Sequence, residues 1–159
     1  MSAPNAKRAC ESSTEQTYIL MPQHINGYGR LFGGRLMEWI DVTAGVVARR
    51  HCHHNVTTVA VDNLQFHGPA HENDTVVICG RVTHVGRTSM EIRVDVFVEN
   101  MDGSRKFINR AYLVMVALDE NEKPTPVPGL IIETDEDRSE WEGGLLRDRL
   151  RKQRRKEEF

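Results

Sequence analysis

The sequence predicts an α+β domain in which one long helix packs on an antiparallel sheet. Three observations predict it. Residues 35–50 are the one long stretch with helical apolar spacing. Four β-prone runs follow, ending at Leu118. The third of these, residues 90–99, strictly alternates apolar with polar or outward-facing residues, the period of a half-buried antiparallel strand. A helix followed by a run of strands is the α+β plan, with the helix on one face of the sheet.

The elements follow in order. Residues 1–15 are small, polar and without apolar period, and are expected to be frayed. A short β-prone run at 17–21 is stopped by Pro22. Next comes a glycine-rich loop, residues 24–30, and Phe32-Gly33-Gly34 leads into the helix. Leu36, Met37, Trp39, Ile40, Thr43, Ala44, Val47 and Ala48 give that helix a wide apolar face, and Ala44, Gly45 and Ala48 permit close packing on a sheet. The period then changes. Residues 56–66 are β-branched and end at His67-Gly68-Pro69; 75–84 form a second run, broken by Gly86. Met101-Asp102-Gly103-Ser104 is a hairpin turn signal, and 106–118 form a long last strand, closed by polar residues and by Pro124, Pro126 and Pro128. The charged tail is expected to be helical from about Asp137. The domain is placed at 16–130 and the tail at 131–159.

With 159 residues the chain suits one domain with a single core. Hydrophobic residues make up 39% and charged residues 28%, a balance that argues against global disorder. The net charge of -2 makes no case for nucleic acid or a membrane surface, and no segment has the roughly 18 apolar residues of a membrane span. Cys10, Cys52 and Cys79 are odd in number and show no CxxC spacing, which points to a reducing compartment. The N-terminus lacks the apolar run of a signal peptide, so a cytoplasmic protein is expected. Charge is segregated in the tail: six acids and one base lie between Glu133 and Glu142, seven bases and one acid between Arg147 and Lys156.

Chemistry has several candidate seats. The loop around Asn26 feeds a helix start at Gly33 and Gly34, where free backbone N–H groups point outward and glycine lets a ligand approach. Such an end suits a phosphate or a developing oxyanion; equally, the glycines can serve only a turn and tight packing. Asp41, about two turns into the helix, borders the apolar face and is either a solvated flank or a carboxylate held in a cleft as base or nucleophile. The run His51-Cys52-His53-His54 invites a metal reading, but adjacent helical residues point apart and zinc sites use spaced pairs, so no metal is expected. His24 and His67 flank the proposed cleft as acid–base groups or as lining. Gly86-Arg87-Thr88-Ser89, between two strands, is a phosphate grip or a polar turn. The basic tail is a solvated helix paired with its acidic neighbour, or a grip for nucleotide phosphates or an acidic partner.

The stretch Asn26-Gly27-Tyr28-Gly29-Arg30-Leu31-Phe32-Gly33-Gly34, with Asp41 beyond it, resembles the N-x-x-G-x-x-x-G-G…D signature of hotdog-fold acyl-CoA thioesterases. The likeness continues through Thr58-Val59-Ala60-Val61-Asp62, Phe66-His67-Gly68-Pro69 and Gly86-Arg87-Thr88-Ser89, and spans about residues 18–128. It implies a curved antiparallel sheet wrapped around one central helix, and hydrolysis of acyl-CoA to fatty acid and CoA. By position it implies Asn26 and Asp41 as the catalytic pair, supplied by opposite protomers of a homodimer, often assembled as a trimer of dimers, a hexamer. It implies Gly33 and Gly34 N–H groups at the thioester carbonyl, and Arg87, Thr88 and Ser89 at the CoA portion. His24, Phe66 and His67 border the pocket. No metal or redox cofactor is implied, CoA being part of the substrate.

Two rivals stand beside that reading. A hotdog hydratase or dehydratase would pair a histidine, here His24, with an acid, and would release no thiol. A non-catalytic acyl-CoA sensor or binding module would bind without turnover and would need neither Asn26 nor Asp41. A nucleic-acid role rests on one short basic tail without interleaved aromatics.

Overall fold

The computed structural model of the protein describes residues 5–158. In chain order the elements are β1 (Lys7–Arg8), β2 (Thr14–Ile19), α1 (Gly33–Cys52), β3 (Asn55–Phe66), β4 (Thr75–Val85), β5 (Ser89–Glu99), β6 (Arg105–Leu118), β7 (Leu130–Ile131) and α2 (Asp135–Lys156). The main sheet has the order β2-β4-β5-β6-β3, and all its neighbours are antiparallel. It wraps around α1, the hotdog arrangement.

α1 buries Leu36, Trp39, Ile40, Thr43, Ala44, Val47 and Ala48 against the sheet, as their spacing predicts. Gly80 of β4 marks the closest approach: a Cβ there would lie 2.9 Å from Val47 Cγ2 and 3.2 Å from Thr43 Cγ2. The helix extends two residues past its apolar period at each end. Phe32 is the N-cap, so Gly33 and Gly34 belong to the first turn rather than to the loop before it. At the other end His53 takes a left-handed conformation (φ 58°) and its N–H reaches Arg49 O at 2.8 Å. Lys7 Nζ donates to the carbonyls of Arg50 (2.7 Å) and His51 (3.2 Å), a cation at the negative end of the helix.

Of residues 1–15, expected from their polarity to be frayed, 5–15 make long-range contacts. β1 pairs in parallel with β7, Arg8 meets Glu133 at 3.0 Å, and Ser12 is buried. These partners lie more than a hundred residues along the chain, beyond the reach of local composition. Residues 1–4 lie outside the described residues.

α2 forms a second layer, on the sheet face opposite α1. It begins two residues before the expected start, capped by Thr134, whose hydroxyl accepts from Asp137 N at 3.0 Å. Its two charged stretches turn mainly to the sheet instead of to each other. Asp137 and Glu136 meet Arg81, and Glu140 meets Arg93 at 2.6 Å and the Tyr112 hydroxyl at 3.0 Å. Arg147 grips Glu91 with two bonds of 2.8 Å and stacks 3.7 Å over the Tyr112 ring. Consequently β5 is not half-buried as its alternation predicts. Its outward Glu91 and Asp95 are buried as well, because α2 and the arginines cover that face. Gly144 permits the close approach of α2 to β4: a Cβ there would fall 2.5 Å from His84 Cβ.

Candidate active site

The site is built around the two ends of the α1–β3 hairpin. A short connection at His53 and His54 folds β3 back along α1, so strand residues face helix residues in reverse order. Near the middle of α1, Asp41 Oδ1 accepts a 2.6 Å hydrogen bond from the Thr58 hydroxyl of β3. Both residues are exposed. Asp41 Oδ2 has no protein partner among the described residues, which leaves one carboxylate oxygen for a proton or for attack. Thr58 was not singled out in the sequence. The signal that could have found it is the hairpin itself: a hydroxyl a few residues into a strand that returns along an acid-bearing helix.

At the start of α1, Phe32 supplies no side-chain cap. Leu36 N is the first amide bonded within the helix, to Phe32 O at 3.1 Å, so the N–H groups of Gly33, Gly34 and Arg35 point out of the helix end. Gly33 sits beside Phe66, whose ring would be 3.8 Å from a Cβ there; Gly34 lies under the Phe32 ring, 2.6 Å from such a Cβ. Next to this helix end is a cavity of about 300 Å³ lined by Asn26, Leu31, Leu36, Phe66, His67 and Ile108, among others. Asn26 Oδ1 accepts from Tyr28 N (2.9 Å) and Arg30 N (3.2 Å), which holds the loop and leaves the amide NH₂ as the available donor.

The structure therefore brings Asn26, Gly33, Phe66 and His67 together, and holds Asp41 apart with Thr58. Gly33 and Asp41 are eight residues apart on α1, about 12 Å along its axis. Within one chain Asn26 and Asp41 do not meet. His24 turns elsewhere: its Nδ1 accepts from Met21 N at 3.0 Å and its ring packs edge-on against Trp39, itself stacked on Tyr18. The turn of Arg87, Thr88 and Ser89 lies at the Thr58 end of the sheet. Ser89, Val116 and Thr57 are successive partners across β5, β6 and β3, so Ser89 and Thr57 are about 9–10 Å apart. The turn is pinned by Ala117 N to Thr88 O (3.0 Å) and Val127 N to Arg87 O (2.9 Å), and Arg87 is exposed.

The remaining histidine and cysteine candidates disperse. His51 is buried with one ring nitrogen 2.9 Å from Pro128 O, Cys52 Sγ turns to His54 O, and His53 lies against Lys7. Among the described residues no three His, Cys, Asp or Glu side chains converge as a metal site would require. All three cysteines are free, and no described helix is long and apolar enough to cross a membrane.

Around Asp41 and the cavity runs a rim of exposed apolar side chains: Phe32, Met37 and Val42 from the α1 side, Val59, Val61 and Phe66 from β3. β3 is also an edge strand, with one row of backbone groups unpaired among the described residues. A hotdog sheet, a helix N-terminus open beside an asparagine-bearing cavity and a carboxylate on the same helix are groups suited to the hydrolysis of an acyl thioester. Residues 28–104 match the family model of the thioesterase superfamily, and the chain belongs to that family. It is 38% identical over 138 residues to the uncharacterized acyl-CoA thioester hydrolase YkhA of Bacillus subtilis, covering 86% of this chain and 80% of that protein. It superposes on a hexameric acyl-CoA thioesterase with a TM-score of 0.91 at 36% identity, over 95% of this chain and 97% of that one. An acyl-CoA hydrolase of Staphylococcus aureus, solved with butyryl-CoA and CoA, superposes with a TM-score of 0.91 at 30% identity, over 96% and 94%. That enzyme has also been solved with an asparagine, an aspartate and a threonine each replaced by alanine. Its aspartate lies fifteen positions after its asparagine and its threonine seventeen positions after its aspartate, the spacings of Asn26, Asp41 and Thr58 here.

Proposed function

We propose that this protein hydrolyses acyl-CoA thioesters in the cytoplasm, water and thioester giving a carboxylic acid and free CoA, at sites shared between two copies of the chain. The observation that carries the reading is the Thr58–Asp41 hydrogen bond beside an unpaired, apolar strand edge. It holds an acid on the face where a second copy, docking antiparallel along β3, would bring its own Asn26 loop and α1 N-terminus.

In that dimer the thioester carbonyl lies at the N-terminus of the second copy's α1, beside that copy's Asn26, and its Gly33 and Gly34 N–H groups receive the oxygen as it turns negative. Asp41, one oxygen held by Thr58, uses the other to take a proton from water or to attack the carbonyl carbon itself. Besides that helix end, the second copy contributes an asparagine amide whose NH₂ is already aimed by its own loop. Arg87, Thr88 and Ser89 lie at the Asp41–Thr58 end of the sheet, where an exposed guanidinium and two hydroxyls suit the CoA phosphates. Phe66 and His67 line the cavity beside Asn26. The reaction draws on no cofactor beyond the CoA of the substrate. His24 is committed to Met21 and Trp39, which weakens the hydratase alternative. Further assembly to a trimer of dimers is proposed from the hexameric relatives.

Thiol release from short-, medium- and long-chain acyl-CoAs tests the reading, with butyryl-CoA first in the panel. Wild type is expected to release CoA, and Asp41→Ala and Asn26→Ala to lose about 10²–10³ in turnover while remaining folded. Binding of acyl-CoA by folded wild type with no thiol from any chain length would leave a sensor instead of an enzyme.

A further inference from the structure

We infer that the Asp62–Arg151 ion pair, seconded by Arg154, is a positioning device that fixes the register of β3 from the outer face of the sheet and so aims Thr58 at Asp41. The inference rests on Asp41 as the hydrolytic acid.

The case begins with the irregular ladder between β3 and β6. Thr58 pairs with Met115 and Ala60 with Val114, so Val59 is one residue too many on β3. A second extra residue falls between Asp62 and Gln65, which pair with Tyr112 and Arg110. Side chains alternate along a strand, so Thr58 and Asp62, four apart, would ordinarily share a face. The bulge at Val59 separates them. Thr58 sits opposite Met115, a core residue on the α1 side, whereas Asp62 sits opposite Tyr112, which faces α2. A slip of one residue that erased the bulge would carry Asp62 into the α1 side or turn Thr58 away from Asp41.

Between the two bulges β3 holds β6 through only three paired positions, Ala60, Val61 and Asp62. Backbone pairing alone specifies such an edge poorly, and α2 adds the missing specification. Asp62 is buried, and its carboxylate receives Arg151 Nη1 at 2.7 Å and Arg154 Nη2 at 3.0 Å, one guanidinium on each oxygen. Arg151 is held in turn: it lies 3.5 Å from Glu91, a side chain only 1% exposed, which is gripped by Arg147 and by the Thr83 hydroxyl at 2.7 Å. The chain of contacts thus runs from the sheet centre through α2 to the strand edge. Returning Asp62 to the wrong face would strand a carboxylate in the core and leave two guanidinium groups without their partner.

Turnover of Asp62→Asn, Thr58→Ala and the double variant, with amide hydrogen exchange on each, tests the inference. Asp62→Asn is expected to lower kcat about tenfold with KM within about twofold, and the double variant to be no slower than Thr58→Ala alone, because both act through one contact. Exchange is expected to quicken over residues 57–62 and to stay unchanged on β4 and β5. Losses that multiply in the double variant overturn the inference, as does unchanged exchange over 57–62. If Asp62→Asn fails to fold, Arg154→Gln, which removes only the more exposed guanidinium, takes its place. A small kcat loss that vanishes in the Thr58→Ala background supports the device, and one that persists there overturns it. Should wild type release no thiol, the hydrolase reading falls and hydrogen exchange alone decides whether the ion pair holds the strand.

Discussion

The Thr58 hydroxyl donates to Asp41 Oδ1 across 2.6 Å, joining the middle of the central helix to the edge of the sheet. The bond fixes which carboxylate oxygen remains for chemistry and in which direction it points. Removing it leaves the acid in place but free to rotate. Thr58→Ala is therefore expected to lower kcat by about 10–10² and to change KM little, since the contact serves the reacting geometry rather than binding. Thr58→Ser, which keeps the hydroxyl, is expected to recover most of the activity. Equal losses in the two variants would assign the effect to the missing methyl group and refute the role of the hydrogen bond.

Gly144 presents two opposed effects of known size. In a helix interior, alanine is favoured over glycine by up to about 1 kcal/mol. Here a Cβ would lie 2.5 Å from His84 Cβ and 3.2 Å from Glu91 Oε1, in the seam between α2 and the sheet. Overpacking of that kind costs about 1–3 kcal/mol, so packing is expected to outweigh propensity. The expected result for Gly144→Ala is a net loss of stability and a Tm lowered by a few degrees, read by thermal unfolding. A raised Tm would mean that α2 is not seated as closely as the contact demands.

Particular residues show what the sequence could carry. α1 was legible because its buried residues repeat with the helical period, and β5 because Met90 to Val98 alternate. The same alternation misjudged Glu91 and Asp95. Their burial depends on a helix arriving from the far end of the chain, and period reports only which side a residue faces, not what later covers it. Asn26 and Asp41 stood out through their spacing in a family signature, whereas a lone asparagine and a lone acid would not have done so. Thr58 escaped because its partner is set by how β3 returns along α1. The order of residues 5–15 and the bulge at Val59 escaped for a related reason: both are fixed by distant partners, Leu130–Ile131 and β6.

Buried histidine makes stability depend on pH. His51 has no exposed surface; one ring nitrogen is 2.9 Å from Pro128 O, and Nδ1 has no partner among the described residues. Burial holds its pKa below the ordinary 6.5, partly opposed by the hydrogen bond to Pro128. His84, packed against Trp141, is lowered in the same direction, again chiefly by burial. For a group lowered in the folded state, the unfolded chain takes up the proton first as pH falls. The stability it contributes is whole above 6.5 and declines from there down through the folded pKa. Tm is thus expected to fall between pH 7.5 and about 5. His51→Gln, which can still donate to Pro128 O, is expected to show a shallower decline, and a slope equal to that of wild type would clear His51 of any part in it.

The separation of Asn26 from Asp41 within one chain gives the most direct test of a shared site. If each site takes Asn26 from one copy and Asp41 from the other, the variants Asn26→Ala and Asp41→Ala are each inactive, yet a dimer of one with the other contains one intact site. Random pairing makes half of all dimers mixed, with one of two sites working, so co-refolded variants are expected to recover about one quarter of wild-type turnover. Recovery should depend on the β3 edge. Val59→Asp places a charge on an apolar strand edge exposed in the single chain, and is expected to shift the protein toward monomer in sedimentation and to abolish complementation. Mixed variants that stay as inactive as either parent, while light scattering shows that they have exchanged subunits, would place both residues of each site in one chain. Because the roughly 12 Å between Gly33 and Asp41 is fixed by the helix, the Asn26 loop itself would then have to leave the helix start and swing to Asp41.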